Sequence, residues 1–238
     1  MEPVYFVGAG PGDPDLITVK GKGLLVSADV LIYAGSLVNP DLVNQSRAEI
    51  RLDSFGMKLP EMVETMSRYA KEGKRVVRLH SGDPAIFGAI VEQIEGLAEE
   101  GLRVEVIPGV SSMFGAAAAL QAQLTLGGVA DTVIVTRPAG ATLEQDEIRD
   151  LSRHQATMVF FLGTEKLEEI VAKVEYPPDT PAAVVFHATW PDQKVVRGTV
   201  ADIAERAREA GITKTALLII GGVLDPTRHG HRRSVLYS

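Results

Sequence analysis

Cysteine is absent from the chain, which excludes disulfides, thiolate catalysis and zinc held by sulfur. Histidine is sparse, five in 238 residues, and none falls in a His-Glu-x-x-His or comparable ligand spacing, so no metal site is expected. Long apolar runs are missing too. Each is strand-length and broken by charge or glycine, short of the ~20 residues that span a bilayer. There is no basic excess: a net charge of −7 weighs against nonspecific nucleic-acid binding. Met1-Glu2-Pro3 runs into the first strand pattern without the basic segment of a signal peptide, so a cytoplasmic location is expected. What is present, 45% hydrophobic and 23% charged residues, suits a globular chain with one large core or two modest ones.

The most informative positive feature is glycine and proline punctuation. Val4-Tyr5-Phe6-Val7 runs into Gly8-Ala9-Gly10-Pro11-Gly12-Asp13-Pro14-Asp15, and this is answered by Ser81-Gly82-Asp83-Pro84-Ala85 and by Pro108-Gly109-Val110-Ser111-Ser112. Each set follows an apolar run that reads as a buried parallel strand and precedes a helical stretch. Open α/β sheets build their ligand crevice at such places, so the three loops are expected to make one site.

Strand patterns at Val4 to Gly8, Val30 to Tyr33, Val76 to Leu79 and Val104 to Ile107 alternate with amphipathic stretches such as Leu59 to Lys71 and Ala89 to Glu100. That alternation predicts a mostly parallel sheet between helices. A stretch of small residues, Gly115 to Ala119, leads to the pair Gly127-Gly128, and the boundary is placed near residue 120, giving domains 1–120 and 121–238. In the second domain strands are expected at Thr132 to Val135, Met158 to Leu162, Ala183 to His187, Lys194 to Gly198, Ala216 to Ile220 and Ser234 to Tyr237. Trp190-Pro191-Asp192-Gln193 is too short for a helical crossover and predicts a hairpin, hence a mixed sheet. Thr142 with Gln145 and Thr199 with Asp202 resemble capping boxes that start helices.

A nucleotide-binding reading fails on the residues themselves. The dinucleotide fingerprint needs glycine where Asp13 stands; Pro11 and Pro14 donate no N–H to a phosphate; and the second strand ends in Tyr33-Ala34-Gly35, with no carboxylate for a ribose. Gly21-Lys22-Gly23 and Gly73-Lys74-Arg75 lack the spacing of a P-loop. Gly109-Val110-Ser111-Ser112 resembles half of a nucleophile elbow, but no histidine and acid can be assigned to it. Asp83 is expected to cap a helix whose first turn holds Pro84, a role compatible with aiming backbone groups at a ligand. His80 is either a polar group satisfied in the crevice or a substrate contact. Ser111 and Ser112 are either donors to a ligand or helix caps.

Taken together, the three loops with Tyr33-Ala34-Gly35-Ser36-Leu37-Val38, Thr136-Arg137, Ala188-Thr189-Trp190-Pro191 and Asp225-Pro226 resemble the tetrapyrrole methylases over essentially the whole chain. Gly-x-Gly-Pro-Gly-Asp and Gly-Asp-Pro mark the superfamily. Tyr-Ala-Gly-Ser-Leu-Val and Ala-Thr-Trp-Pro point to the branch that methylates carbon 11 of precorrin-4 or cobalt-precorrin-4 in cobalamin biosynthesis; a precorrin or uroporphyrinogen methylase acting at another ring carbon is the alternative. The resemblance implies two α/β domains with an active-site trough between them, a homodimer, and S-adenosylmethionine bound folded. It implies cofactor contacts at Pro11, Asp83, Ile86, Ser111, Ser112, Leu162, Ala188, Ala216 and Leu217, many through backbone atoms. Related chains carry a basic tail after a Leu-Tyr like Leu236-Tyr237, where this sequence ends.

The substrate so implied carries several carboxylates, which call for arginine forks and backbone donors. Arg137 is the leading candidate, against a surface ion pair; His80, Tyr33 and Lys58 follow, and Arg232-Arg233 reads as an exposed strand end. No catalytic base is assigned, because a sulfonium methyl is already activated and a held nucleophilic carbon needs mainly alignment.

Overall fold

A computed structural model describes residues 2–141 and 143–229. The predicted strand at Ser234 to Tyr237, the Arg232-Arg233 pair and the Thr142 cap lie outside the described residues. The chain divides into two compact units, Met1–Ser112 and Met113–Ser238.

The first unit runs β1 (Val4–Gly8), α1 (Val19–Val26), β2 (Val30–Tyr33), α2 (Pro40–Asn44), β3 (Ile50–Asp53), α3 (Leu59–Lys71), β4 (Val76–His80), α4 (Val91–Glu99) and β5 (Val104–Ile107). All pairings are parallel, in the order β3-β2-β4-β1-β5. Both faces are covered, so β1 and β2 read as apolar runs and β4 as one interrupted by the buried Arg78. Successive residues alternate between faces. Val4, Phe6, Val30, Ile32 and Val76 pack with Met62, Met66 and Ala70 of α3 and Leu97 of α4, while Val7, Leu31, Val77 and Leu79 pack with Leu25 of α1 and Leu42 and Val43 of α2. Helix α3 forms as its pattern predicts: Met62, Met66 and Ala70, four apart, face the core, Pro60 suits the first turn, and Arg68 and Lys71 sit in the last. The edge strand β3 has alternating, half-covered residues and no apolar run to betray it.

The second unit holds α5 (Ser112–Leu120), β6 (Val133–Thr136), α6 (Ile148–Ser152), β7 (Thr157–Phe160), α7 (Leu167–Lys173), β8 (Pro181–Phe186), β9 (Lys194–Thr199), α8 (Ile203–Glu209), β10 (Ala216–Ile220) and α9 (Pro226–His229). Its sheet, ordered β6-β7-β10-β8-β9, is mixed: β6 and β7 are parallel and the other pairs antiparallel. The predicted hairpin is there, joining β8 to β9 with Phe186 opposite Lys194. Ala116, Ala117 and Leu120 of α5 pack with Val159, Ala183, Val185, Leu217 and Ile219. The small side chains thus serve close helix-on-sheet packing, and α5 goes with the second unit from Met113 onward. On the other face Ile148, Leu167, Ile170, Ile203 and Ala207 close a second core.

Thr199 and Asp202 form only half of a capping box. The Asp202 carboxylate accepts from the Thr199 N–H at 2.7 Å, but α8 begins at Ile203 and the Thr199 hydroxyl turns to the same carboxylate at 3.1 Å. Among the described residues, no helix is long and apolar enough to cross a membrane.

Candidate functional site

In the first unit the three punctuated loops meet at the C-terminal edge of β4, β1 and β5, because those strands are neighbours in the sheet. Gly10 and Gly82 pair through Gly10 N–H to Gly82 O (3.2 Å) and Gly82 N–H to Gly10 O (2.9 Å), and the Ala9 N–H donates to His80 O at 2.7 Å. Asp83 fastens the third loop: one carboxylate oxygen accepts from the Ala85 N–H and the other from the Gly109 N–H, both at 2.8 Å. Asn39 caps α2 through the Asp41 N–H (2.9 Å) and donates to Gly12 O at 2.8 Å, holding the first loop from beneath. Gly8 and Gly109 touch backbone to backbone. A Cβ on Gly8 would lie 2.6 Å from Gly109 N and Cα, so only glycine permits this approach.

Pro11 is buried within this cluster, Asp83 and Ile86 are half-buried, and Ser111 is buried at 4% exposure beside Ser112, the first residue of α5. Asp83 does not cap a helix. Residues 84–87 make an isolated turn, and α4 starts only at Val91, because Phe87 (φ +53°) and Ala89 (φ +48°) adopt left-handed backbone that no helix can continue through.

His80 sits inside the sheet at 5% exposure, its ring tilted against Phe6 with centroids 5.3 Å apart. Burial, helped by the nearby Arg78 charge, pushes its pKa down to about 3, so the imidazole is neutral. Its Nε2 has no hydrogen-bond partner, so the expectation of a polar group satisfied in the crevice is not met. Arg78 is buried as well, and burial lowers its pKa to about 10 against the favourable charge of Asp53. Tyr33 ends β2, half-buried, its carbonyl accepting from both the N–H and the hydroxyl of Ser54. Lys58 is exposed where α3 begins.

In the second unit, Leu162, Ala188, Ala216 and Leu217 gather on one sheet edge. The ends of β7 and β8 and the start of β10 coincide there, since β10 is antiparallel to both. Leu162 is 66% exposed with φ +53°. Ala188 is buried between His187 (φ +45°) and Thr189 (φ +70°), and Ala216 follows Thr215 (φ +55°). The Thr164 hydroxyl accepts from the Ala216 N–H and donates to its carbonyl, both at 3.0 Å. Arg137 is half-buried just after β6, on the same edge by the parallel pairing of β6 with β7.

Eight described non-glycine residues have positive φ. Six of them, Phe87, Ala89, Leu162, His187, Thr189 and Thr215, lie at or within three residues of a candidate cofactor residue. Such backbone persists only where its surroundings over-determine it, and it concentrates at ligand clamps. Sequence patterns carry no mark of these conformations, nor of the Thr164 and Asp83 cross-links. Asn39 went unremarked in the sequence: Asn-Pro carries a local cap signal, and nothing in it points to the bond with Gly12.

Pro11 and Pro14 offer no N–H to a phosphate, and both Asp83 oxygens accept from backbone N–H groups, so the loops do not form a phosphate cradle. Residues 3–204 match the family described as Tetrapyrrole (Corrin/Porphyrin) Methylases. The cobalt-precorrin-4 C(11)-methyltransferase of Methanocaldococcus jannaschii is 51% identical over 237 residues, covering 97% of this chain and 91% of that protein. The X-ray structure of a cobalamin biosynthetic enzyme, cobalt precorrin-4 methyltransferase, superposes with a TM-score of 0.90 at 47% identity, covering 94% of this chain and 96% of the other. Uroporphyrin-III C-methyl transferase from Thermus thermophilus, complexed with S-adenosylhomocysteine, gives a TM-score of 0.80 at 29% identity, with 94% and 99% covered. With two loop-edged α/β sheets and a family match over most of its length, the chain belongs to the tetrapyrrole methylases.

Proposed function

We propose that the chain transfers a methyl group from S-adenosylmethionine to carbon 11 of precorrin-4 or its cobalt complex, a step of cobalamin biosynthesis. The observation that carries this reading is the likeness, at about half identity and over almost the full length, to proteins named for that reaction. The Tyr33 to Val38 and Ala188 to Pro191 segments agree with it. When bound, the cofactor supplies an activated methyl; the chain has to bind, orient and hold. Pro11, Asp83, Ile86, Ser111 and Ser112 in the first unit and Leu162, Ala188, Ala216 and Leu217 in the second are assigned to the cofactor. Arg137, Lys58 and Tyr33 are assigned to the carboxylate-bearing tetrapyrrole; His80, being buried, is assigned to support beneath the loops. Alignment of this kind contributes ~7–11 kcal/mol to a group transfer without an acid or base. A homodimer, on family resemblance, and a cytoplasmic location, the default for a chain without long apolar runs, complete the reading.

The test is an anaerobic incubation with precorrin-4, or its cobalt form, and methyl-labelled S-adenosylmethionine, followed by mass and carbon NMR. One new methyl at ring carbon 11 is expected. A methyl at another carbon would shift the reading to a sister enzyme, and no product would send the search to a different acceptor.

Arg137→Ala separates the two ligands. The tetrapyrrole KM is expected to rise about tenfold or more, the worth of one charge-assisted hydrogen bond, with S-adenosylhomocysteine affinity unchanged. An unaltered tetrapyrrole KM removes Arg137 from the site.

A further inference from the structure

The hairpin between β8 and β9 is braced more heavily than a turn requires. The His187 ring stacks on Phe186, with centroids 3.8 Å apart and planes 15° apart, and on Trp190 at 5.0 Å and 29°. Its Nδ1 lies 2.9 and 3.0 Å from the two oxygens of Asp192. The Trp190 N–H donates to His187 O (2.9 Å), the Thr189 N–H to Gln193 Oε1 (2.7 Å), and the His187 N–H to Thr215 O (3.3 Å). These contacts surround one residue, Ala188, whose neighbours on both sides are non-glycine residues in left-handed backbone. A two-stranded connection has relaxed alternatives, with glycine or asparagine at such positions. Strain maintained by side-chain bracing indicates that the backbone shape at Ala188 is itself the product.

We infer that His187, clamped by Asp192 and stacked on Phe186 and Trp190, is a positioning residue that sets the backbone at Ala188 for the cofactor. The inference rests on the assignment of Ala188 to S-adenosylmethionine. His187 acts through its neighbour, not on the reacting atoms. Thr164 does the same for Ala216 from the adjacent strand. The bracing also gives the tryptophan of the branch-marking Ala-Thr-Trp-Pro segment a role: Trp190 stacks on the imidazole.

Two variants test this. His187→Gly relaxes the left-handed backbone and removes the ring, so the fold is kept while the clamp is lost. Asp192→Ala removes the anchor at a carboxylate that is 60% exposed and unneeded for the core. Titration with S-adenosylhomocysteine, read by calorimetry and by the fluorescence of Trp190, the only tryptophan in the chain, is expected to show about tenfold weaker binding in each, the worth of one charge-assisted hydrogen bond. Melting temperature and tetrapyrrole KM should stay near wild type. His187→Asn, which tolerates left-handed backbone and can still donate to Asp192, is expected to recover part of the loss. Wild-type affinity in both His187→Gly and Asp192→Ala would overturn the inference alone. A wild-type chain that binds no S-adenosylhomocysteine would overturn the cofactor assignment with it.

Discussion

Gly109→Ala is expected to destabilise the first unit by about 3 kcal/mol, the upper range for overpacking a site whose neighbours cannot yield. The added methyl would fall on the carbonyl oxygen of Gly82 and come within 2.8 Å of the Gly8 Cα. Both obstacles are backbone, and both are pinned: Gly82 by its pairing with Gly10, and Gly8 inside β1. Relief requires the third loop to retreat, which would pull the Gly109 N–H from Asp83 and weaken S-adenosylhomocysteine binding along with the fold. Gly127→Ala is the control, since a Cβ there meets nothing within 4 Å; it should stay within about 0.5 kcal/mol of wild type. Urea denaturation of both variants, with calorimetric titration, decides the matter. Equal stability of the two would show that the loops are not interlocked.

His80 should make the chain acid-sensitive above the carboxylate range. In the unfolded chain its imidazole takes a proton below about pH 6.5, whereas in the native sheet it does so only near 3. Between those values the unfolded state binds more protons, so stability falls as pH falls. From pH 7 to pH 5 the loss assigned to this residue is about 2 kcal/mol, with the remainder below pH 5. His80→Leu should flatten the stability profile by that amount between pH 7 and pH 5, a window in which exposed carboxylates stay ionised. Urea melts followed by circular dichroism at the two pH values measure it. Parallel losses in wild type and variant would show that His80 is solvated and open to protonation in the native state. That result would return it to the list of substrate contacts.

Much of the architecture was legible because burial leaves a periodic trace. The central strands β1, β2 and β4 are covered on both faces; β1 and β2 show apolar runs and β4 one interrupted by Arg78, and α3 places Met62 and Met66 four residues apart. The hairpin was legible from its length alone, because four residues cannot cross a sheet. Strand β3 escaped notice because its apolar–polar alternation, Ile50-Arg51-Leu52-Asp53, spans only four residues and shows no apolar run. Asp83 illustrates the complementary failure. Asp-Pro before an apolar stretch is a sound cap signal, yet the carboxylate is spent on Ala85 and on Gly109, twenty-six residues away in sequence. Local pattern has no term for a partner brought near by strand order.

The sequence by itself determined the family, the alternation of elements and the backbone character of the site, since glycine, proline and small residues at strand ends leave little else to present. Only the tertiary structure decided which of those residues interlock, which histidine is buried and neutral and which one braces a turn, and where non-glycine backbone is held in the left-handed region. Burial and interlocking depend on contacts between segments far apart in the chain and on the removal of water from particular groups, which no window of neighbouring residues encodes; the His187 brace is local, but its geometry rests on backbone conformations that sequence patterns do not mark.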